Sequence, residues 1–285
     1  MEKYLSLVKF GYTIIALPFT LIGYFLGVFY AGVGFNWLTL LLVLLSMIFA
    51  FNVGMAFNRY IDRDIDAKNP RTANRPIPSG IIKPREVLVF VIVNAILFVM
   101  TCWFINSFVF FLSPIAILVI LGYSLSKKIT LLCHFLLGFS LSMAPMGAYL
   151  AVTGAFDYLP MAFSFIIILW RAGTNIVYAL QDADFDAKER LYSIPAWLGI
   201  RMSLIVTAGL YTITGISLVL IGIIWDFGKW YAIGTSIFII LLVYQQMIVK
   251  PNDLSRVNTS VFTVNVFSSV VFGVFVILDI FILYC

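Results

Sequence analysis

The sequence predicts an all-α polytopic membrane protein, with nine transmembrane helices in one bundle and a cytoplasmic N-terminus. Three observations carry that expectation. Of 285 residues, 62% are hydrophobic and 11% charged, with a mean hydropathy of +1.06, whereas a soluble domain is about half apolar and a quarter charged. The 18 Lys and Arg and 13 Asp and Glu are clustered, so the rest divides into apolar stretches near the roughly 20 residues that a membrane helix needs. The basic clusters also recur at alternate ends of those stretches.

Breaking the chain at polar clusters, Gly and Pro sets spans near residues 11–32, 38–61, 86–105, 108–126, 130–152, 159–182, 202–224, 230–249 and 260–283. The first begins after Lys3 and Lys9 and runs past Pro18 without a small-residue cleavage site, which makes it a span rather than a signal peptide. The second enters the polar cluster at Asn58 and Asp62, and the third opens behind Pro84 and Arg85. The turn at Asn106 and Ser107 separates third from fourth, which stops at Lys127 and Lys128. The fifth ends at Gly154, the sixth runs into Asp182 and the seventh follows Arg201. Asp226 to Lys229 divides seventh from eighth, and Lys250 to Arg256 divides eighth from ninth. No stretch remains for a separate soluble domain, so 1–285 is expected to act as a single domain with Asp-rich cytoplasmic loops near 58–85 and 178–201. With this order, every Lys and Arg except Lys229 and Arg171 falls on one face, the expected signature of the cytoplasmic side of an inner membrane. The net charge of +5 therefore reports orientation and contact with anionic lipid rather than a nucleic-acid partner. Cys102, Cys133 and Cys285 form no CxxC pair, and the single His134 cannot build a His-based metal site. No obligate protein partner is evident.

Two polar segments begin alike. Asp62-Arg63-Asp64-Ile65-Asp66-Ala67-Lys68 and Asp182-Ala183-Asp184-Phe185-Asp186-Ala187-Lys188 share the pattern D-x-D-apolar-D-A-K. On a helix extending from the second span, Asn58, Asp62 and Asp66 stand i, i+4 and i+8 on one face, and Asp182 and Asp186 repeat the spacing. At helix C-termini such carboxylates oppose the dipole. A divalent cation relieves that cost, and hard oxygen ligands without Cys or His favour Mg²⁺, which bridges carboxylates to phosphate. Lys68, Arg71, Arg75, Lys127, Lys128 and Lys188 lie nearby, as a diphosphate substrate requires. Arg171, Asn175, Tyr178, Asp182 and Asp186 form a polar stripe down one face of the sixth span, which places a cavity beside it. Arg171 sits deep enough for the carboxylate of an acceptor, with pairing to Asp279 or Asp157 as the competing reading. Tyr123 stands where it reaches phosphate or a cation, or serves as an interfacial tyrosine.

From Asn58-x-x-x-Asp62-x-x-x-Asp66 through Arg71-Thr72-Ala73-Asn74-Arg75-Pro76, the chain resembles the UbiA-type intramembrane aromatic prenyltransferases. Tyr178-Ala179-Leu180-Gln181-Asp182, continuing to Asp186 and Ser193-Ile194-Pro195, is similar to the family's second aspartate-rich motif, and Lys9 with Ala16-Leu17-Pro18-Phe19 extends the likeness to the first span. The likeness is greatest to 4-hydroxybenzoate polyprenyltransferases of ubiquinone or menaquinone synthesis. It implies Mg²⁺ on Asn58, Asp62, Asp66, Asp182 and Asp186, polyprenyl diphosphate on Lys9, Arg71, Arg75, Lys127 and Lys188, and Tyr123 and Tyr178 beside the reacting carbon. Asn175 stands where relatives commonly carry Asp, Arg171 where they are often apolar or small, and Gly11-Tyr12 where close relatives carry acidic and His residues. Arg171 and Asn175 are accordingly assigned to the acceptor pocket. Rival acceptors within the family are dihydroxynaphthoate, protohaem and a glyceryl phosphate. A secondary transporter is the rival from another class, although transporters place coupling carboxylates at the bilayer midplane.

Overall fold

A computed structural model describes residues 2–9, 11 and 13–284. Among them, nine helices are long and apolar enough to cross a membrane, and the chain is an integral membrane protein. A short helix α1 (Glu2–Val8) precedes α2 (Thr13–Tyr30), which ends in a π-helical turn. Then follow α3 (Trp37–Ile61), α5 (Pro84–Ile105), α6 (Ser107–Ser126), α7 (Cys133–Thr153), α8 (Tyr158–Ala179), α10 (Ile194–Ile224), α11 (Lys229–Ile248) and α12 (Thr259–Tyr284). Two six-residue helices, α4 (Arg63–Lys68) and α9 (Ala183–Lys188), complete the order. The starts carry the expected signals. The side chains of Asn36, Asn106, Asp157 and Ser193 accept backbone N–H groups of α3, α6, α8 and α10, and Pro84 opens α5 where its missing N–H is harmless.

The nine spans fall within a few residues of their expected positions, with two differences. The loops are shorter than read, because α4 and α9 continue the chain as helix beyond the membrane ends. The seventh span begins at Ile194 rather than 202. Its first turn, capped by Ser193, is broken from the rest at Gly199, whose φ of +74° is open only to glycine without strain.

The core centres on α8. Phe163, Ile166, Ile167 and Trp170 are buried with Phe19 of α2, Phe238 of α11 and Phe272 of α12. The outer surface is apolar, as lipid contact requires. The α7–α8 crossing is close enough that a Cβ on Gly138 would stand 2.5 Å from the carbonyl oxygen of Ile168. Gly138→Val is therefore expected to force the two helices apart, at a cost of about 1–3 kcal/mol. A lowered thermal midpoint in detergent, with Gly122→Val as a control at an open position, measures it.

Candidate functional site

The two repeats fold identically in outline. The first repeat's span ends at Ile61, just before Asp62, and the second's tightens after Ala179 into a 3₁₀ turn, Leu180–Asp182; in each the first Asp of the heptapeptide breaks the helix (Asp62 at φ −92°, ψ 2°; Asp182 at φ −110°, ψ 6°), and a six-residue helix follows. Asp62 and Asp182 thus stand between the C-terminus of one helix and the N-terminus of the next. The opposing dipole expected from the sequence is partly offset, because Asp66 and Asp186 fall in the first turns of α4 and α9. The ladder survives the break: Asp62 N donates to Asn58 O at 3.0 Å and Asp66 N to Asp62 O at 2.7 Å.

The carboxylates are largely neutralised by protein cations. Asp66, 5% exposed, accepts from Arg75 Nη1 at 2.6 and 2.8 Å. Arg71 reaches across from the first motif to the second, giving Nε to Asp182 Oδ1 at 2.8 Å, Nη2 to Oδ2, and Nη1 to the Tyr178 hydroxyl at 2.8 Å. Asn69 Nδ2 adds a bond to Asp182 Oδ1 at 2.8 Å. Asp186 is fully buried and accepts from Lys127 Nζ at 2.8 Å, while its Oδ2 has no hydrogen-bond partner. Lys68 pairs with Glu189 at 2.8 Å, so the motifs touch at the surface as well. Asp62 accepts from Asn58 Nδ2 at 3.1 Å, and burial pushes its carboxyl up to about 6 against the pull of Lys127. Burial also works against the charge of Arg71, but its bonds to Asp182 hold its pKa above the usual value. Burial lowers Lys9, with Tyr178 opposing.

A cavity of about 820 Å³ opens beneath these groups. It is lined from Asp62 down α3 to Val43, about 28 Å along a helix axis. Its polar end holds Asn58, Asp62, Asp66, Arg71, Arg75, Lys127, Asp182 and Asp186 with Lys9, Tyr123 and Tyr178; its deeper walls include Phe19, Met47, Leu112, Phe139 and Phe165. The stripe read from α8 faces this cavity. Arg171, Asn175 and Tyr178 are half-buried while their helical neighbours are buried.

Almost all the expected site residues therefore meet at this cavity, with Lys188 as the exception. Lys188 is exposed on α9 and does not line the cavity, since Asp182 and Asp186 take the inward face. Arg71, Arg75 and Lys127, expected to face a diphosphate, hold Asp182, Asp66 and Asp186. Among the described residues, no three acidic, His or Cys side chains stand close enough to grip one ion in this arrangement. Asp279 caps α11 through the N–H groups of Gly228 and Trp230, and Asp157 caps α8. Among the described residues neither forms an ion pair with Arg171, whose guanidinium lies 5.4 Å from the Trp170 ring. Tyr123 donates to Gly54 O at 3.2 Å at the cavity wall. Tyr12 lies outside the described residues.

Sequence reasoning missed Arg59. It is 6% exposed, lines the cavity, and leaves Nη1 without a hydrogen-bond partner. An arginine inside the last turn of an otherwise apolar span was the available signal, and it was absorbed into the count of basic residues that set orientation. Asn69, the bridge to Asp182, carried no signal short of the fold.

Residues 16–269 match the UbiA prenyltransferase family. A 4-hydroxybenzoate octaprenyltransferase from Aliivibrio fischeri is 30% identical over 76% of each chain. A protoheme IX farnesyltransferase from Francisella tularensis is 29% identical over 70% of this chain and 71% of its own. Among solved structures, a UbiA homologue from Aeropyrum pernix superposes with a TM-score of 0.85 at 27% identity, covering 94% of this chain and 98% of that one. A UbiA homologue from Archaeoglobus fulgidus bound to GPP and Mg²⁺ has the same fold, with a TM-score of 0.73 at 21% identity over 98% and 99% of the two chains.

Proposed function

Because the chain belongs to the UbiA prenyltransferase family and is a membrane-embedded transferase, we propose that it moves a polyprenyl group from polyprenyl diphosphate to an aromatic acceptor, 4-hydroxybenzoate, in ubiquinone or menaquinone synthesis. The observation that carries this is the meeting of both aspartate motifs with Arg71, Arg75 and Lys127 at the polar mouth of an apolar cavity deep enough for an isoprenoid tail. The 4-hydroxybenzoate octaprenyltransferase relative supports the acceptor. The farnesyltransferase relative keeps protohaem as the second reading. The whole of 1–285 works as one unit, with the mouth facing the cytoplasm of a bacterial inner membrane; the basic residues gathered at that end support the orientation.

The donor set suits Mg²⁺. Asn58, Asp62, Asp66, Asp182 and Asp186 offer only hard oxygens, and the orphaned Oδ2 of buried Asp186 is an acceptor in want of a cation. When bound, Mg²⁺ neutralises the diphosphate and stabilises the charge that gathers on it as the allylic C–O bond ionises. The chain's own cations do the same from the other side. Asp182, Asp66 and Asp186 would hold the metal and Arg71, Arg75 and Lys127 would turn to the phosphate oxygens, which would leave no charge in the site uncompensated. Lys9 and Arg59 add positive charge to the same wall. Tyr178 and Tyr123 present aromatic faces to the cationic prenyl carbon, and the apolar walls keep water from quenching it. Arg171 and Asn175, deeper on α8, orient the acceptor.

Arg171→Ala is expected to raise the acceptor KM about tenfold or more while the isoprenoid KM holds, because one charge-assisted bond is worth about 1.5–3 kcal/mol. Equal rises in both constants would remove Arg171 from the acceptor pocket. The direct test offers purified protein an isoprenyl diphosphate and Mg²⁺ with 4-hydroxybenzoate, dihydroxynaphthoate, protohaem or no acceptor, and follows prenylated product by mass spectrometry. Chelator-sensitive product from 4-hydroxybenzoate is the expected result; product from protohaem alone selects the second reading, and failure to bind the diphosphate with Mg²⁺ present refutes both.

A further inference from the structure

His134 is the chain's one histidine, 2% exposed, in the first turn of α7 at the cavity wall. Its ring nitrogens face two different groups. Nε2 stands 3.2 Å from the backbone nitrogen of Ile194, at the start of α10, and Nδ1 stands 3.0 Å from the Asn175 amide. A backbone N–H only donates, so Nε2 must be the accepting nitrogen. The doubly protonated ring is excluded by the same contact, and the neutral ring then carries its proton on Nδ1. Nδ1–H needs an acceptor. Asn175 supplies one by presenting Oδ1, since a half-turn about its last side-chain bond exchanges amide oxygen and nitrogen in place. The amide NH₂ is left on the open side, where Asn175 lines the cavity one helical turn from Arg171.

We propose that His134 is a positioning residue that fixes the hydrogen-bonding polarity of the acceptor pocket. By holding Asn175 with its N–H groups toward the cavity, it makes the wall beside Arg171 a donor surface that takes an aromatic acceptor bearing a carboxylate. An uncoupled Asn175 could turn either face to the substrate; held by His134, it rejects a substituent that must itself donate. This rests on the prenyl-transfer reading above and goes beyond it, because it names the group by which the acceptor is chosen and a residue that never touches it.

The test separates binding from turnover. Full-length protein in detergent is titrated calorimetrically with 4-hydroxybenzoate and with 4-hydroxybenzamide, its neutral analogue of the same shape, and steady-state constants are measured for both substrates. The wild type is expected to bind the benzoate at least about tenfold more tightly. His134→Gln keeps an acceptor near Ile194 N–H but gives Asn175 no fixed donor. It is expected to raise the acceptor KM about tenfold and to erase the preference, with the prenyl diphosphate KM and the saturated kcat within about twofold of wild type. His134→Asn, whose amide stands near the Nδ1 position, is expected to recover most of the loss. An unchanged preference in His134→Gln overturns the proposal, as does a parallel rise in both KM values with a fall in kcat and no rescue. Should the His134 variants not fold, Asn175→Asp decides: its carboxylate accepts from His134 and leaves no donor for the cavity, so benzoate binding must weaken, and unaltered binding overturns the proposal. Benzoate binding without product in any assay would refute prenyl transfer and leave this inference standing. Product only from acceptors without a carboxylate would do the reverse.

Discussion

Asp182→Asn is expected to lower turnover about a thousandfold while the protein still folds, the scale on which losing a preorganised electrostatic contact slows an enzyme. Asparagine keeps an oxygen for the bonds from Asn69 Nδ2 and Arg71 Nε, while the bond from Arg71 Nη2 to Oδ2 is lost; thermal unfolding shows whether that loss reaches the fold. The substitution also removes the negative charge through which Asp182 would help hold Mg²⁺ against the diphosphate. Asp62→Asn, which keeps an oxygen for Asn58 Nδ2, is expected to fall as far. The measurement is kcat across a Mg²⁺ titration, beside thermal unfolding in detergent. Wild-type-like turnover in either variant would refute the metal assignment.

The second large effect is at Arg71, where kcat/KM for the prenyl diphosphate is expected to drop about a hundredfold on substitution by Ala, with Lys recovering little of it. The guanidinium touches both oxygens of Asp182 and the Tyr178 hydroxyl at once, and its Cζ lies 4.9 Å from the Tyr178 ring. An ammonium carries the same charge but cannot span that fork. Steady-state kinetics of Arg71→Ala and Arg71→Lys at saturating acceptor test this, and recovery by Lys to within a few-fold of wild type would show that charge alone suffices.

The spans were legible because the bilayer imposes one length and one polarity on every crossing helix, and the heptapeptide repeat was legible because it is written twice at matching depth. Other features depend on distance in sequence. Asn69 and Asp182, or His134 and Asn175, are far apart in the chain, and their contacts follow from how α7, α8 and the first motif pack. Spacing gave the right face for Asp182 and Asp186 but not the consequence that Lys188, two residues further on, points outward. Gly199 read as one more residue of a loop, because only the backbone shows that helix resumes on both sides of it. Arg59 was hidden by a rule that is true of its neighbours: basic residues at a membrane end usually report orientation, and the rule does not ask which of them face inward.

The contacts between the motifs also bear on how the enzyme is made. Arg71 and Asn69 take their places against Asp182, more than a hundred residues later in the chain, and Asp66 and Arg75 belong to the same turn-rich segment. A chain synthesised only as far as α7 already carries Asp62 and Asp66, yet lacks the surface against which residues 69–75 fold. The contacts that join the two motifs are therefore completed only when α8 and α9 take their places in the bundle. A chain that stops at α7 lacks Tyr178, Asp182 and Asp186, and with them the partners that Arg71 and Lys127 hold in the finished bundle.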